Sequence, residues 1–137
     1  MTGNKADERV TIQVAGGPVT VVDRTELLAA ADAERVVVVA VPCGAAAVSQ
    51  ALAVRPAALF LRESTAEENE AGLGAADASG VPCAAVKAEA PDIAGGHTIW
   101  ASGKVTVANA AARRRGVKPA MTVQQAAGLL MAWTRVM

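Results

Sequence analysis

A single α/β domain is what this sequence predicts: a mainly parallel sheet in a three-layer arrangement with helices on both faces, an N-terminal β-hairpin and C-terminal helices. Three observations predict it. Nineteen consecutive residues between Arg35 and Arg55 carry no charge, and their composition changes from valine to alanine at Pro42-Cys43-Gly44. Two more short apolar runs, residues 57–61 and 81–86, follow at helix-sized spacings. Strict apolar–polar alternation precedes them all, in Val10-Thr11-Ile12-Gln13-Val14. Strands separated by helical stretches of about ten to fifteen residues call for right-handed crossovers and hence parallel pairing.

The hairpin comes first. The alternation over residues 10–14 fits a strand with one wet face, Gly16-Gly17 can supply the positive φ of a two-residue turn, and Val19-Thr20-Val21 resumes the pattern. Asp23 with Glu26 three residues on fits a capping box, opening a short helix through Leu27, Leu28 and Ala31.

The uncharged run has two physical readings. A membrane-crossing helix needs about 20 apolar residues, so the length just suffices. Composition decides against it. Most of the valines fall before Pro42 and suit a pleated surface, whereas the alanines after Gly44 suit a helix. Pro42 lacks an N–H, and Ser49 and Gln50 are polar. Residues 36–41 are therefore read as a strand buried on both faces and residues 44–54 as a helix of small side chains, with no membrane partner.

Residues 57–61 form the second buried strand in this reading. Ser64-Thr65-Ala66-Glu67 is a capping box for a helix ending near Gly80, and residues 81–86 are the third strand. Residues 91–96 read as a loop containing Gly95-Gly96. Residues 97–107 read two ways: a hairpin turning at Ser102-Gly103, or a helix capped by Ser102 and continuing to Arg115. Gly116 ends the helix before it. Thr122 with Gln125 caps a final helix with apolar residues at Val123, Ala126, Ala127, Leu130 and Met131, and Trp133 alongside.

Composition bounds the function. Residues 1–137 make one domain, with the polar first eight residues expected to be flexible. Thirteen basic and thirteen acidic residues cancel, so there is no general attraction to nucleic acid or anionic lipid. The polar start does not read as a secretory signal. Two cysteines do not make a disulfide framework, which points to the cytoplasm. A hydrophobic content of 53% points to a homo-oligomer or a protein complex.

In parallel α/β sheets ligands bind beyond the carboxyl ends of the strands. Those ends are Pro42-Cys43-Gly44, Arg62-Glu63-Ser64 and Lys87-Ala88-Glu89. The helix after Gly44 has no acid in its first two turns, so Gly44 and Ala45 are candidates to receive a phosphate or carboxylate. Arg62, Ser64, Lys87 and Lys104 are candidates to support it. The helix after Ser64 carries Glu67, Glu68 and Glu70, which would repel an anion. Cys43 at a helix N-terminus is a candidate nucleophile, and His97 beside two glycines a candidate acid–base group. Cys43 lacks the Cys-x5-Arg of a phosphatase loop, since Ser49 stands at that spacing. Cys43 ends its strand and Cys83 begins one, so the two should not pair.

Other motifs fail. His97 is the sole histidine and no CxxC or HxxxH is present, which argues against zinc. Gly103-Lys104 resembles the end of a phosphate-binding loop, but Val105 replaces the required hydroxyl. Arg113-Arg114-Arg115 suits a helix C-terminus, and with so few aromatics a nucleic-acid partner is not expected. The residues name no cofactor and no reaction. They support a small anionic ligand at the C-terminal edge of the sheet or, alternatively, a non-catalytic interaction module using the C-terminal helix.

Overall fold

The computed structural model describes residues 9–88 and 95–136, with side chains as far as Ala132. The expected flexibility of residues 1–8, most of the loop at 91–96 and the packing of Trp133 lie outside the described residues.

Six strands form one sheet in sequential order: β1 (Arg9–Val14), β2 (Gly17–Val22), β3 (Val36–Pro42), β4 (Ala58–Arg62), β5 (Cys83–Lys87) and β6 (Lys104–Ala108). The hairpin β1–β2 is antiparallel, β2 to β5 run parallel, and β6 returns antiparallel to β5. The helices are α1 (Ala45–Leu52), α2 (Ala66–Ala78), α3 (Gly96–Ser102), α4 (Ala110–Arg114) and α5 (Val123–Val136). This is the α/β class that the alternation of apolar runs and helical stretches predicts.

Stepping always in one direction across the sheet obliges right-handed crossovers to lie on one face. The segment after β2, α1 and α2 do so, closing a core of Val37, Val39, Leu59, Leu61 and Ala85. The opposite face is covered by α3 and α5 over Val36, Val38, Phe60 and Val86, with Leu130 contributed by α5. Val36 through Val39 are buried on both sides, which is why β3 reads as an unbroken apolar run.

The structure corrects four local readings and bears out the helix ends read at Gly116 and Thr122. The hairpin connection is Ala15-Gly16, since Val14 pairs with Gly17, and only Gly17 has positive φ (132°). The segment after Asp23 forms two single 3-10 turns, Thr25–Leu27 and Ala30–Asp32, because Asp23 turns instead to the N–H of Gly96 (2.8 Å). The cap of α2 is Thr65, whose Oγ1 accepts from the N–H of Glu68 (3.1 Å), one residue later than Ser64. The segment 97–107 is neither a hairpin nor one helix: α3 ends at Ser102 and, after Gly103 alone, β6 begins at Lys104. The helix before Gly116 is therefore the short α4, capped by Asn109, with Gly116 at φ 100° beyond it. At Thr122 the capping box is reciprocal, Gln125 N–H to Oγ1 (3.1 Å) and Thr122 N–H to Oε1 (3.0 Å).

One polar cluster ties the hairpin down. Asp32 is fully buried, and both its oxygens accept from the Arg9 guanidinium at 2.7 Å. It also accepts from Thr20 Oγ1 and the N–H of Ala29, each at 2.7 Å. Burial pushes the Asp32 carboxyl up, but these bonds and the Arg9 charge outweigh it and hold the carboxyl below its ordinary range.

Candidate functional site

The carboxyl ends of β3, β4 and β5 and the start of β6 share one edge of the sheet, as parallel pairing and the return of β6 require. Alternation then sorts the side chains by face. Val86 and Val105 belong to the core under α3 and α5, so Lys87 and Lys104 project on the α1/α2 side. Arg62 pairs with Val86 and follows Leu61, so it projects on the opposite side. Of the predicted cations, Lys87 and Lys104 are thus brought together and Arg62 is separated from them by the sheet.

Cys43 and His97 are not brought together. Cys43 is 1% exposed, and its thiol donates to the carbonyl of Asn69 at 3.9 Å. Gly72 makes this packing possible: a Cβ there would stand 2.7 Å from the Cys43 sulfur. Burial, with Glu68 adding to it, pushes the thiol up to about 11, so it stays protonated at neutral pH. His97 is exposed near the start of α3, a helix packed on the other face. Cys83 is also free and buried, and its thiol is pushed up mainly by desolvation. Both thiols are expected to react with iodoacetamide only after global unfolding. Alkylation of Cys43 at a rate unaffected by stabilising co-solvent would instead show local access.

Gly44 and Ala45 begin α1, with Gly44 as an N-cap that has no side-chain bond of its own. A carboxylate already stands there. A Cβ on Gly44 would lie 2.8 Å from Glu68 Oε1, which reaches across from the neighbouring α2. Ser64 is held by Asn69, whose Oδ1 accepts the Ser64 N–H at 2.8 Å. α3 likewise begins beside an internal acid, the Asp23 carboxylate that takes the Gly96 N–H. The starts of α1 and α3 are therefore furnished with carboxylates from within the chain, and α2 carries Glu67 and Glu68 in its own first turn.

Sequence reasoning missed the groove that remains. Because α3 crosses to the other face, no helix of the described residues covers β6 on the α2 side. A groove of about 620 Å³ lies there between α2 and β6–α4. Leu73 and Val107 form its apolar base, and Asn69, Glu70, Asp77, Thr106, Asn109 and Arg113 bring polar groups to it. Most of those groups are occupied. Asp77 accepts from the N–H groups of Ala110 and Ala111 (3.1 and 3.0 Å). Asn109 accepts from Cys83 N–H (3.0 Å) and Ala112 N–H (2.9 Å) and donates to the Val81 carbonyl (2.9 Å). Arg113 donates to the carbonyl of Ala108 at 2.6 Å.

Lys87 and Lys104 are not part of this groove's lining; they lie beyond it on the same face of the sheet as Val107, Lys104 two residues before the lining residue Thr106. They are directly opposite one another in the β5–β6 register, and both are exposed. Such cross-strand partners have Cβ atoms about 5 Å apart. Among the described residues neither ammonium forms a salt bridge. Also among the described residues, no three His, Cys, Asp or Glu side chains come together as a metal ion needs, and no helix is long and apolar enough to cross a membrane.

No protein-family model matches the chain, and no curated protein or solved structure is significantly similar to it.

Proposed function

We propose that this protein is a small-molecule-binding domain whose ligand places a phosphate or carboxylate between Lys87 and Lys104 and lays its remainder along the α2–β6 groove. One observation carries the reading: two lysines face each other across adjacent strands at the ligand edge of a parallel sheet, with no carboxylate of the described residues bridging them. Like charges directly opposite disfavour each other, and an anion between them reverses the sign of that interaction. Glu70, on the α2 wall, favours a hydrogen-bond donor farther along the ligand and keeps the anionic group at the lysine end. The internal carboxylate at Gly44 moves the preferred anion position away from α1. Two free, buried thiols accord with the cytoplasm as the place of action.

A thermal-shift panel of sugar phosphates, nucleotides and small dicarboxylates tests this. A true ligand at a hundred times its Kd adds about 2.7 kcal/mol to stability. Lys104→Glu is expected to abolish that gain. By relieving the like-charge pair, it should leave the free protein as stable or up to about 0.5 kcal/mol more so. A panel without any shift, or a shift that survives Lys87→Glu/Lys104→Glu, overturns the reading.

A second reading, an interaction module or oligomer subunit, is favoured by α5. Leu129, 38% exposed, is the large apolar side chain that the described surface leaves most open. Beside it on α5, Gly128 and Met131 border a second groove of about 400 Å³ with Trp100 and the hairpin. Leu129→Lys should leave stability within about 0.5 kcal/mol and dissociate any complex that uses this surface.

A further inference from the structure

The two edges of the sheet are treated very differently. At β6 the chain guards the edge by several means. The segment before α5 pairs with it, Val105 N–H to the Met121 carbonyl and Ala120 N–H to the Val105 carbonyl, each at 2.8 Å. The strand opens on a lysine, its pairing with β5 is irregular between Ala85 and Val86, and Arg113 takes the carbonyl at its end. Of these devices β1 has only a cation at its start, Arg9, and Asp32 of the same chain takes that up. It is a full six-residue strand with unbroken register against β2, without proline or lysine, and its outer edge has no partner among the described residues.

We propose that β1 is the interface of a symmetric dimer, in which β1 of a second copy pairs antiparallel with it and joins two sheets into one. The strand is complementary to itself. About a two-fold axis at Ile12, Val10 meets Val14 and Thr11 meets Gln13, apolar against apolar and polar against polar. The only charge, Arg9, is taken up by Asp32 of its own chain, so no like charges meet. The main chain suits the same axis. A two-residue connection makes Val14–Gly17 a hydrogen-bonded pair, so the N–H and C=O groups of Thr11 and Gln13 point outward. The two copies can exchange about four main-chain hydrogen bonds through them. Ile12 and Val14 are only partly buried at the margin of the core, and Val14 borders the α5 groove. Pairing covers both, and sets the two grooves side by side.

Sedimentation velocity over a concentration series of the full chain tests this independently of any ligand. The expected result is twice the single-chain mass at high concentration. Thr11→Lys/Gln13→Lys, which sets like charges opposite each other across the axis, should weaken the dimer at least tenfold. Thr11→Pro, which removes an outward N–H and adds no charge, should do the same, while Thr106→Lys on the other edge leaves the dimer unchanged. Circular dichroism establishes that each variant is folded. A single-chain mass at every concentration overturns the proposal, and so does a dimer indifferent to both β1 variants.

Discussion

Asp32→Ala is expected to destabilise the protein by about 3–5 kcal/mol, the usual cost of removing one partner of a buried ion pair. The lower end applies, because Arg9 is 30% exposed and can rehydrate its charge. The loss spreads beyond the pair: the fully buried Thr20 hydroxyl and the Ala29 N–H both lose the acceptor they donate to, although Thr20 still accepts from Arg35. Urea unfolding should show the change as a lower midpoint at unchanged slope. The pH dependence follows from the direction of the Asp32 shift. A carboxyl held below its unfolded value of about 3.9 contributes its full stabilisation above that pH and loses it as pH falls through the folded value. The stability difference between wild type and Asp32→Asn should therefore be largest near neutrality and shrink below about pH 4. A difference independent of pH would show that packing, and not charge, gives Asp32 its weight.

Asn109→Ala should cost about 2–4 kcal/mol, since a cap and several buried main-chain partners are lost together. Asn109 is 2% exposed and joins three elements: it caps α4, holds the first residue of β5 and donates to the carbonyl of Val81. Asn109→Asp keeps the acceptor but replaces the donor with a charge against carbonyl oxygens, so it should be no better than alanine. Recovery of wild-type stability by Asn109→Asp would show that the donor bond carries little.

Much of the fold was legible because its signals are local. Four adjacent valines buried on both faces announce β3, period-two alternation announces the hairpin, and Thr122 with Gln125 announces α5. The segment 97–107 was not legible, because α3 is seven residues long and Gly103 alone separates it from β6. A stretch that short satisfies a turn and a helix equally well. Asp23 and Asp32 escaped for a different reason. Their residue types suggest caps, but their partners lie 73 residues away at Gly96 and 23 away at Arg9, and nothing local reveals that.

The candidate site was legible in part. The strand-edge rule placed Lys87 at the carboxyl end of its strand; Lys104 was a supporting candidate in a segment read two ways, and only the register makes the two neighbours. Face parity removes Arg62 from their company, and tertiary packing removes Cys43. The carboxylate at Gly44 depends on α1 and α2 lying side by side, which residue spacing does not encode. The groove exists because α3 crosses to the opposite face, a topological choice invisible in the apolar pattern.

The most direct measurement is a titration of ¹⁵N-labelled protein with the ligand that gives the largest thermal shift, following backbone amide resonances. Saturable shifts concentrated at Lys87, Lys104 and Val107, absent in Lys87→Glu/Lys104→Glu, are the expected result. Saturable shifts centred on Ala45 and Ala46 with Lys87 and Lys104 unmoved would contradict it, and would return the anion to the start of α1.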